Sequence, residues 1–341
     1  MTKRNLTRRQ NWRIQKIQDE RIERAQKQEV KIEQQFDDGD LGPEQLGLII
    51  SHYGAQLDIE SVESVESLGG VWRCHLRANL PPLVTGDRVV WRASVKDRSG
   101  VVVALVDRKS ILSRPDQRGK VKPVAANIDY IVLVIASLPT PYTNLIDRYL
   151  VAAETVNIEP VILLNKIDLL TDPECKTSLN DMLKTYKQIG YTVLTGSTVS
   201  SNGLTSLQVL LSGNTSVFVG QSGVGKSSLV NALLPGIDVR VGALSGVTGK
   251  GAHTTTTAKL YHFPTGGTLI DSPGIREFGL WHMTQNEIIE GFREFRPFLG
   301  YCRFRNCSHK KEPGCAICQA LEEGNISPER INSYWQIIGS L

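Results

Sequence analysis

Residues Gly220 to Ser227, GQSGVGKS, have the G-x-x-x-x-G-K-[ST] spacing of a phosphate-binding loop. Glycine at 220, 223 and 225 lets successive backbone N–H groups turn inward on phosphate oxygens, where the N-terminus of the following helix adds a favourable field. Gln221, Ser222, Val224 and Ser228 complete the cradle. Lys226 reaches the β and γ phosphates and so belongs to the catalytic set, and Ser227 offers its hydroxyl to Mg2+. The apolar SVFV before the loop and the amphipathic KSSLVNALL after it supply the strand and helix that this motif requires.

A phosphate loop does not choose a base, but NKID, Asn165 to Asp168, does. Beyond the apolar strand PVILL, Asp168 can accept from guanine N1–H and the 2-amino group, Asn165 reads the keto edge, Lys166 lies along the ring, and Ile167 completes the loop. Adenine has neither donor, so the carboxylate would be left desolvated and unpaired at a cost of a few kcal/mol; GTP and GDP are therefore the expected ligands. LIDSPG ends in a D-x-x-G element, with Asp271 holding Mg2+ through water and the Gly274 N–H meeting the γ-phosphate. GKGAHTTTT stands where a switch segment belongs, and Thr255 is assigned the Mg2+-sensing hydroxyl, the register among the four threonines being open. LTGST, Leu194 to Thr198, is a candidate for the loop that backs the base. The order along the chain is base loop, phosphate loop, switch, metal aspartate. Chain ends of such a domain lie at its surface and often close together, so the elements read as a circularly permuted GTPase.

Cys302, Cys307, His309 and Cys315 form a second constellation, C-x4-C-x-H-x5-C, with thiolate and imidazole donors suited to one tetrahedral structural zinc. Cys318 makes a C-x-x-C with Cys315 and could compete. Arg303, Arg305, Lys310 and Lys311 lie around the cluster and suit phosphate contacts, as do Arg73, Arg77, Arg88 and Arg92 farther upstream. No helix-turn-helix pattern accompanies the cysteines, so DNA is not an expected partner.

These groups need elements to hold them. The chain has 341 residues, 40% hydrophobic and 22% charged, enough for two or three cores. Its net charge of +4 is uneven, because residues 1–31 hold ten Lys or Arg against four Asp or Glu. That segment is too poor in apolar residues to fold alone and reads as a basic flexible tail, with FDDGDLGPEQ, Phe36 to Gln45, as the linker after it. GLIISHY, GVWRCHLRA, GDRVVWRAS and GVVVALVDR then suggest short strands of a small barrel of OB type. From about Arg114, strands such as DYIVLVIAS alternate with helices such as NLIDRYLVAAETVN, the pattern of a parallel sheet covered on both faces. After Gly279 the chain reads as helical around the cysteines. The expected fold is multidomain: tail and linker 1–40, an RNA-binding β-barrel (OB-fold) 41–113, an α/β permuted P-loop GTPase 114–280, and a small mainly α zinc-binding subdomain 281–341. MTKRNLTRRQNWR has no apolar secretory segment and no run reaches the roughly 20 residues of a membrane span, so a cytoplasmic protein without membrane contact is expected.

The reversed motif order, GQSGVGKSSLVNALL, GAHTTTT, DSPGIREFGLW, the preceding barrel and the following Cys/His cluster resemble the RsgA family, also called YjeQ, of small ribosomal subunit biogenesis GTPases. The likeness covers about residues 41 to 335. It implies an OB-fold, a permuted GTPase and a zinc subdomain acting together on the immature 30S ribosomal subunit and its 16S rRNA near the decoding region, with hydrolysis strongly stimulated by the subunit. It also implies that zinc takes Cys302, Cys307, His309 and Cys315 rather than Cys318. Many GTPases have a water-orienting glutamine after D-x-x-G, where this chain has Ile275; the resemblance gives that role to His253, just before the threonines. A ribosome assembly factor, expected as a monomer, is the reading; the alternative is a nucleotide-gated RNA-binding module whose hydrolysis is incidental. REFGLWHMT leads from the metal aspartate directly toward the cysteines, so ordering of the switch is expected to reorient the zinc subdomain.

Overall fold

The computed structural model describes residues 40–340 except 55, 63–69, 78–79, 116–118, 237–257, 272–278 and 281–282. Two compact units emerge: a barrel that ends at Val106, and a second unit from Asp107 onward to which Ile50–His52 and Val84–Asp87 also belong.

The barrel has five strands: β1 (Leu41–Tyr53), β2 (Gln56–Ser61), β3 (Val71–Leu76), β4 (Arg88–Ser94) and β5 (Ser99–Leu105). They follow the order β1-β2-β3-β5-β4, and β4 returns to pair with β1, closing an OB-type ring in which β3 and β5 run parallel. Period-two alternation turns Ile49, Leu57, Ile59, Val89 and Trp91 inward, all without exposure. Gly47 faces this core because a Cβ there would meet Ile59 and the Trp91 indole at 2.5 Å. The short run QLDIES was not expected as a strand, and LGPEQ pairs with β4 instead of forming a linker, with Pro43 tolerated at a register shift between Leu41 and Glu44. Two barrel arginines have internal work. Arg92 donates to the carbonyls of Gly42 (2.7 Å) and Leu41 (3.0 Å), while Arg73 pairs with Asp58 at 2.5 Å and lies over the Tyr53 ring.

The second unit opens with a hairpin, β6 (Ile111–Pro115) and β7 (Val121–Ala126), where the sequence suggested none; Pro123, a residue that disfavours strands, is accommodated at the register shift between Leu112 and Ser113. Then come β8 (Tyr130–Ala136), α1 (Thr143–Thr155), β9 (Glu159–Asn165), α2 (Pro173–Ile189), β10 (Thr192–Thr195), α3 (Thr205–Leu211), β11 (Thr215–Val219), α4 (Lys226–Leu233), β12 (Lys259–His262) and β13 (Thr268–Asp271). Their order is β10-β9-β8-β11-β13-β12, parallel except that β12 runs antiparallel to β13, so the sheet is not the purely parallel one expected. Burial on both faces explains the unbroken apolar run in β8, where Ile131 to Ala136 are all buried. Local signals stop and start the helices: Asp172 caps α2 by accepting from the Glu174 and Cys175 N–H groups, and Gly190, at φ 102°, ends it.

Four short pieces follow: α5 (Gln285–Glu290), a 3-10 turn Arg293–Phe298, α6 (Ala316–Glu322) and α7 (Pro328–Ile338). Phe292 and Phe295 stack at 4.7 Å with Tyr334 edge-on to both, and this core continues onto Val151 of α1. Beside it Arg330 of α7, 2% exposed, pairs with Asp147 of α1 and with Glu294 at 2.5 Å, and Tyr186 of α2 donates to the same Asp147 at 2.6 Å. Burial works against the Arg330 charge, but the two carboxylates more than offset it and raise its pKa above the usual arginine value. Among the described residues no helix is long and apolar enough to cross a membrane.

Candidate functional site

Parallel strands β9, β11 and β13 end on one edge of the sheet, and each delivers a motif there. Crevices at the carboxyl ends of such strands are where open α/β sheets bind ligands. The turn Gly220–Gly225 has φ of 133°, 84° and 96° at its three glycines. A Cβ on Gly220 would come within 2.2 Å of the Val134 carbonyl, so the loop can lie this close to β8 only with glycine. Lys226 folds back over the turn and donates to the carbonyls of Gly220 (2.7 Å) and Gln221 (2.6 Å). Gly225 begins α4 without a side-chain cap, which leaves the first N–H groups of that helix directed at the loop. Ser227 and Ser228 fall in its first turn.

The base-reading loop meets this turn from the other side. Asn165, the last residue of β9, is wholly buried and donates through Nδ2 to the Val224 carbonyl at 2.9 Å. Its Oδ1 has no protein partner. A buried acceptor left this way costs about 1–3 kcal/mol until something satisfies it, as in a pocket awaiting a polar ligand. Lys166 takes the left-handed conformation at φ 58° and donates to the Gly223 carbonyl at 2.6 Å. A Cβ on Gly225 would strike Asn165 Nδ2 at 2.5 Å, so the two loops are in van der Waals contact. Ile167 starts a single 3-10 turn, Ile167–Leu169, and its N–H donates to the Gly196 carbonyl.

Asp168 has a partner that sequence reasoning did not place among the site residues. The buried Ser197 hydroxyl donates to its Oδ1 at 2.5 Å, while the Ser197 backbone is held by the Gly203 carbonyl at 3.1 Å. LTGST thus lies against the Asn165–Asp168 loop, with Ser197 as the side chain that bonds Asp168. Asp271 ends β13, next to β11. His253, Thr255 and Gly274 lie outside the described residues.

The cysteine cluster lies in the same unit, between the 3-10 turn and α6. The donor atoms of Cys302, Cys307, His309 and Cys315 all fall within 4.8 Å of one another. Cys302 Sγ and Cys315 Sγ are 3.9 Å apart, and each is 3.5 Å from His309 Nδ1. A tetrahedral zinc, with sulfur at about 2.3 Å and nitrogen at about 2.0 Å, sets these edges at about 3.8 and 3.5 Å. Burial pushes the Cys307 thiol up to about 12 and the Cys315 thiol up to about 11, a preference that a bound cation reverses. Cys318 stands outside the four: its thiol faces the Lys310 carbonyl, and its N–H donates to Cys315 Sγ. His309 is left-handed at φ 58°, and its carbonyl is held by the Trp335 indole N–H at 3.1 Å. Glu312 pins the turn between the donors, accepting from the backbone N–H of Ser308 (2.8 Å), Lys310 (2.9 Å) and Lys311 (3.2 Å). The hydrogen bonds from Ser308 are the main reason its carboxyl is lowered to about 2.

Comparison with known proteins places this architecture. A family model described as RsgA GTPase matches residues 105–281. The small ribosomal subunit biogenesis GTPases RsgA of Azotobacter vinelandii and Ectopseudomonas mendocina are each 59% identical to the chain over its full length and 98% of their own. The crystal structure of YjeQ from Thermotoga maritima superposes with a TM-score of 0.73 at 31% identity, covering 88% of this chain and 99% of that one. YloQ, a circularly permuted GTPase, superposes with a TM-score of 0.70 at 30% identity, covering 87% and 95%. With these relatives matched over nearly their whole length, and with a phosphate-loop motif contacted by a loop that precedes it in the sequence, the chain belongs to the RsgA family of GTPases.

Proposed function

We propose that this protein hydrolyses GTP to GDP and phosphate during late maturation of the small ribosomal subunit, acting as a cytoplasmic monomer on the 30S particle and its 16S rRNA, with turnover raised by the subunit. Its relatives carry the name of small ribosomal subunit biogenesis GTPases. The observation that carries the enzymatic part is the contact of Asn165 and Lys166 with Val224 and Gly223, which puts base recognition and phosphate binding in one pocket despite their reversed order.

In this reading Asp168, oriented by Ser197, selects guanine, and the backbone of Gly220 to Gly225 cradles the phosphates. Lys226, already poised over the turn, spreads its charge onto the β and γ oxygens as negative charge shifts during transfer. Ser227 and Asp271 would hold Mg2+, which would supply neutralisation of the phosphate charge. The nucleophilic water is aligned by His253, with Thr255 and the Gly274 N–H completing the switch around the γ-phosphate. Zinc on Cys302, Cys307, His309 and Cys315 is structural, since four protein donors leave no open position. The domains run 1–40, 41–113, 114–280 and 281–341, the barrel binding RNA.

The test is GTP turnover with and without purified 30S subunits. The proposal expects a large rise on adding subunits, abolished in His253→Ala while GTP affinity is kept. Subunits that bind the protein but leave turnover unchanged would instead support a binding module with incidental hydrolysis.

A further inference from the structure

Two aromatic rings on the metal loop are exposed: Tyr301 is 79% exposed and Phe304 44%. They flank Cys302, whose sulfur belongs to the four-donor cluster, and the Arg303 N–H between them donates to the Gly314 carbonyl at 2.9 Å. The rings therefore stand on a pinned backbone. Large apolar side chains held out in water on a fixed support forgo burial that most of the molecule's aromatics obtain, which marks a surface that meets a partner.

Charge specifies the partner. Arg303, Arg305, Lys310 and Lys311 are all exposed on the same loop, and Arg303 reaches over Phe304 at 5.6 Å. Between Gly300 and Cys315 the one acid is Glu312, and its carboxylate is turned onto the Ser308, Lys310 and Lys311 amides. The loop is thus cationic and carries two exposed flat rings. Bases of a duplex are already stacked on each other and offer such plates nothing except at an end, whereas each unpaired base has a free π-face.

We propose that Tyr301 and Phe304 form a stacking platform for unpaired bases of RNA, with Arg303, Arg305, Lys310 and Lys311 seated on the adjoining phosphates. This rests on the ribosomal reading above and narrows it, from RNA in general to a single-stranded segment read by the metal loop.

The experiment uses the full-length zinc-loaded protein. A fluorescein-labelled unstructured oligouridine and an RNA duplex of equal length are titrated with wild type, Tyr301→Ala, Tyr301→Ala/Phe304→Ala and Lys310→Gln/Lys311→Gln over a range of salt. Zinc content and GTP affinity are measured alongside. Loss of both rings is expected to weaken single-strand binding about tenfold or more at an unchanged salt slope, with little effect on the duplex. Tyr301→Ala, which removes an exposed ring and leaves no cavity, should give part of that loss, and Tyr301→Trp should keep the affinity. Lys310→Gln/Lys311→Gln should weaken both RNAs and lower the slope by up to about 2. Equal losses on single strand and duplex, unchanged single-strand affinity, or equally tight ring-dependent binding to phosphatidylserine vesicles would each overturn the platform. The two readings fail separately: wild type that 30S subunits do not stimulate sinks the ribosomal one, whereas full stimulation together with intact oligouridine binding in the double variant sinks only the platform.

Discussion

The nucleotide pocket and the cysteine cluster are assembled in opposite ways. The pocket draws on Asn165, Asp168, Ser197, Val224, Lys226 and Asp271, which the register of a sheet brings to one edge. Its parts already grip one another through neutral and charged hydrogen bonds between 2.5 and 2.9 Å. The cluster draws on residues 302 to 315, has thiols crowded against an imidazole, and is held within one short loop by the Glu312 turn, the Trp335 indole on the His309 carbonyl and the Arg303 N–H on the Gly314 carbonyl. Sheet register can carry a site without its ligand, while a short loop with four donors depends on the ion for its shape.

The largest test of this contrast is loss of the ion. Cys302→Ser, or chelation of the wild type, is expected to release zinc and expose the amides of residues 299–323 to hydrogen exchange, because a structural site contributes on the order of 10 kcal/mol to local folding. Binding of a fluorescent GTP analogue should persist in the same sample, and Cys318→Ser should retain the metal. A pocket that melts together with the cluster would show that the two are not independently held. Next in size is Asp168→Asn, which replaces an acceptor of two guanine donors. GTP affinity is expected to fall by roughly a hundredfold while xanthosine triphosphate, with a keto group at the 2-position, gains, as equilibrium titration would read. Smallest is Ser197→Ala. It leaves the Asp168 carboxylate in place but unsteered, so a loss of about 1 kcal/mol, some fivefold in GTP affinity, is expected with no gain for the xanthine nucleotide. No change at all would make Ser197 a packing residue.

The same contrast decides what could be read from the sequence. GQSGVGKS and NKID are legible because phosphate and guanine chemistry each require a contiguous run, and the reversed order needs only that both be present. The cysteine spacing is legible for the same reason. Ser197 is legible only as one residue of the candidate loop LTGST, since a serine beyond a strand has no fixed spacing from the aspartate it bonds. Pro123 and the Gly42-Pro43 pair hid strands, because proline demotes a strand on local grounds while a bulge or register shift accommodates it once a neighbouring strand is present. The internal partners of the barrel arginines were hidden in another way. Alternation places Arg92 on a polar face but says nothing of carbonyls within its reach, and the structure ties its guanidinium to Leu41 and Gly42. The antiparallel strand KLYH is too short to announce itself by periodicity.

One helix, α1, borders both sites. At its front the loop from β8 brings Pro139 to 3.7 Å from where a Cβ on Gly223 would stand, and along its flank Asp147 is clasped by Arg330 with Asn144 donating to the Ser333 carbonyl. A push on α7 would therefore meet α1 at a buried ion pair, and the loop that leads into α1 is the one standing against Gly223.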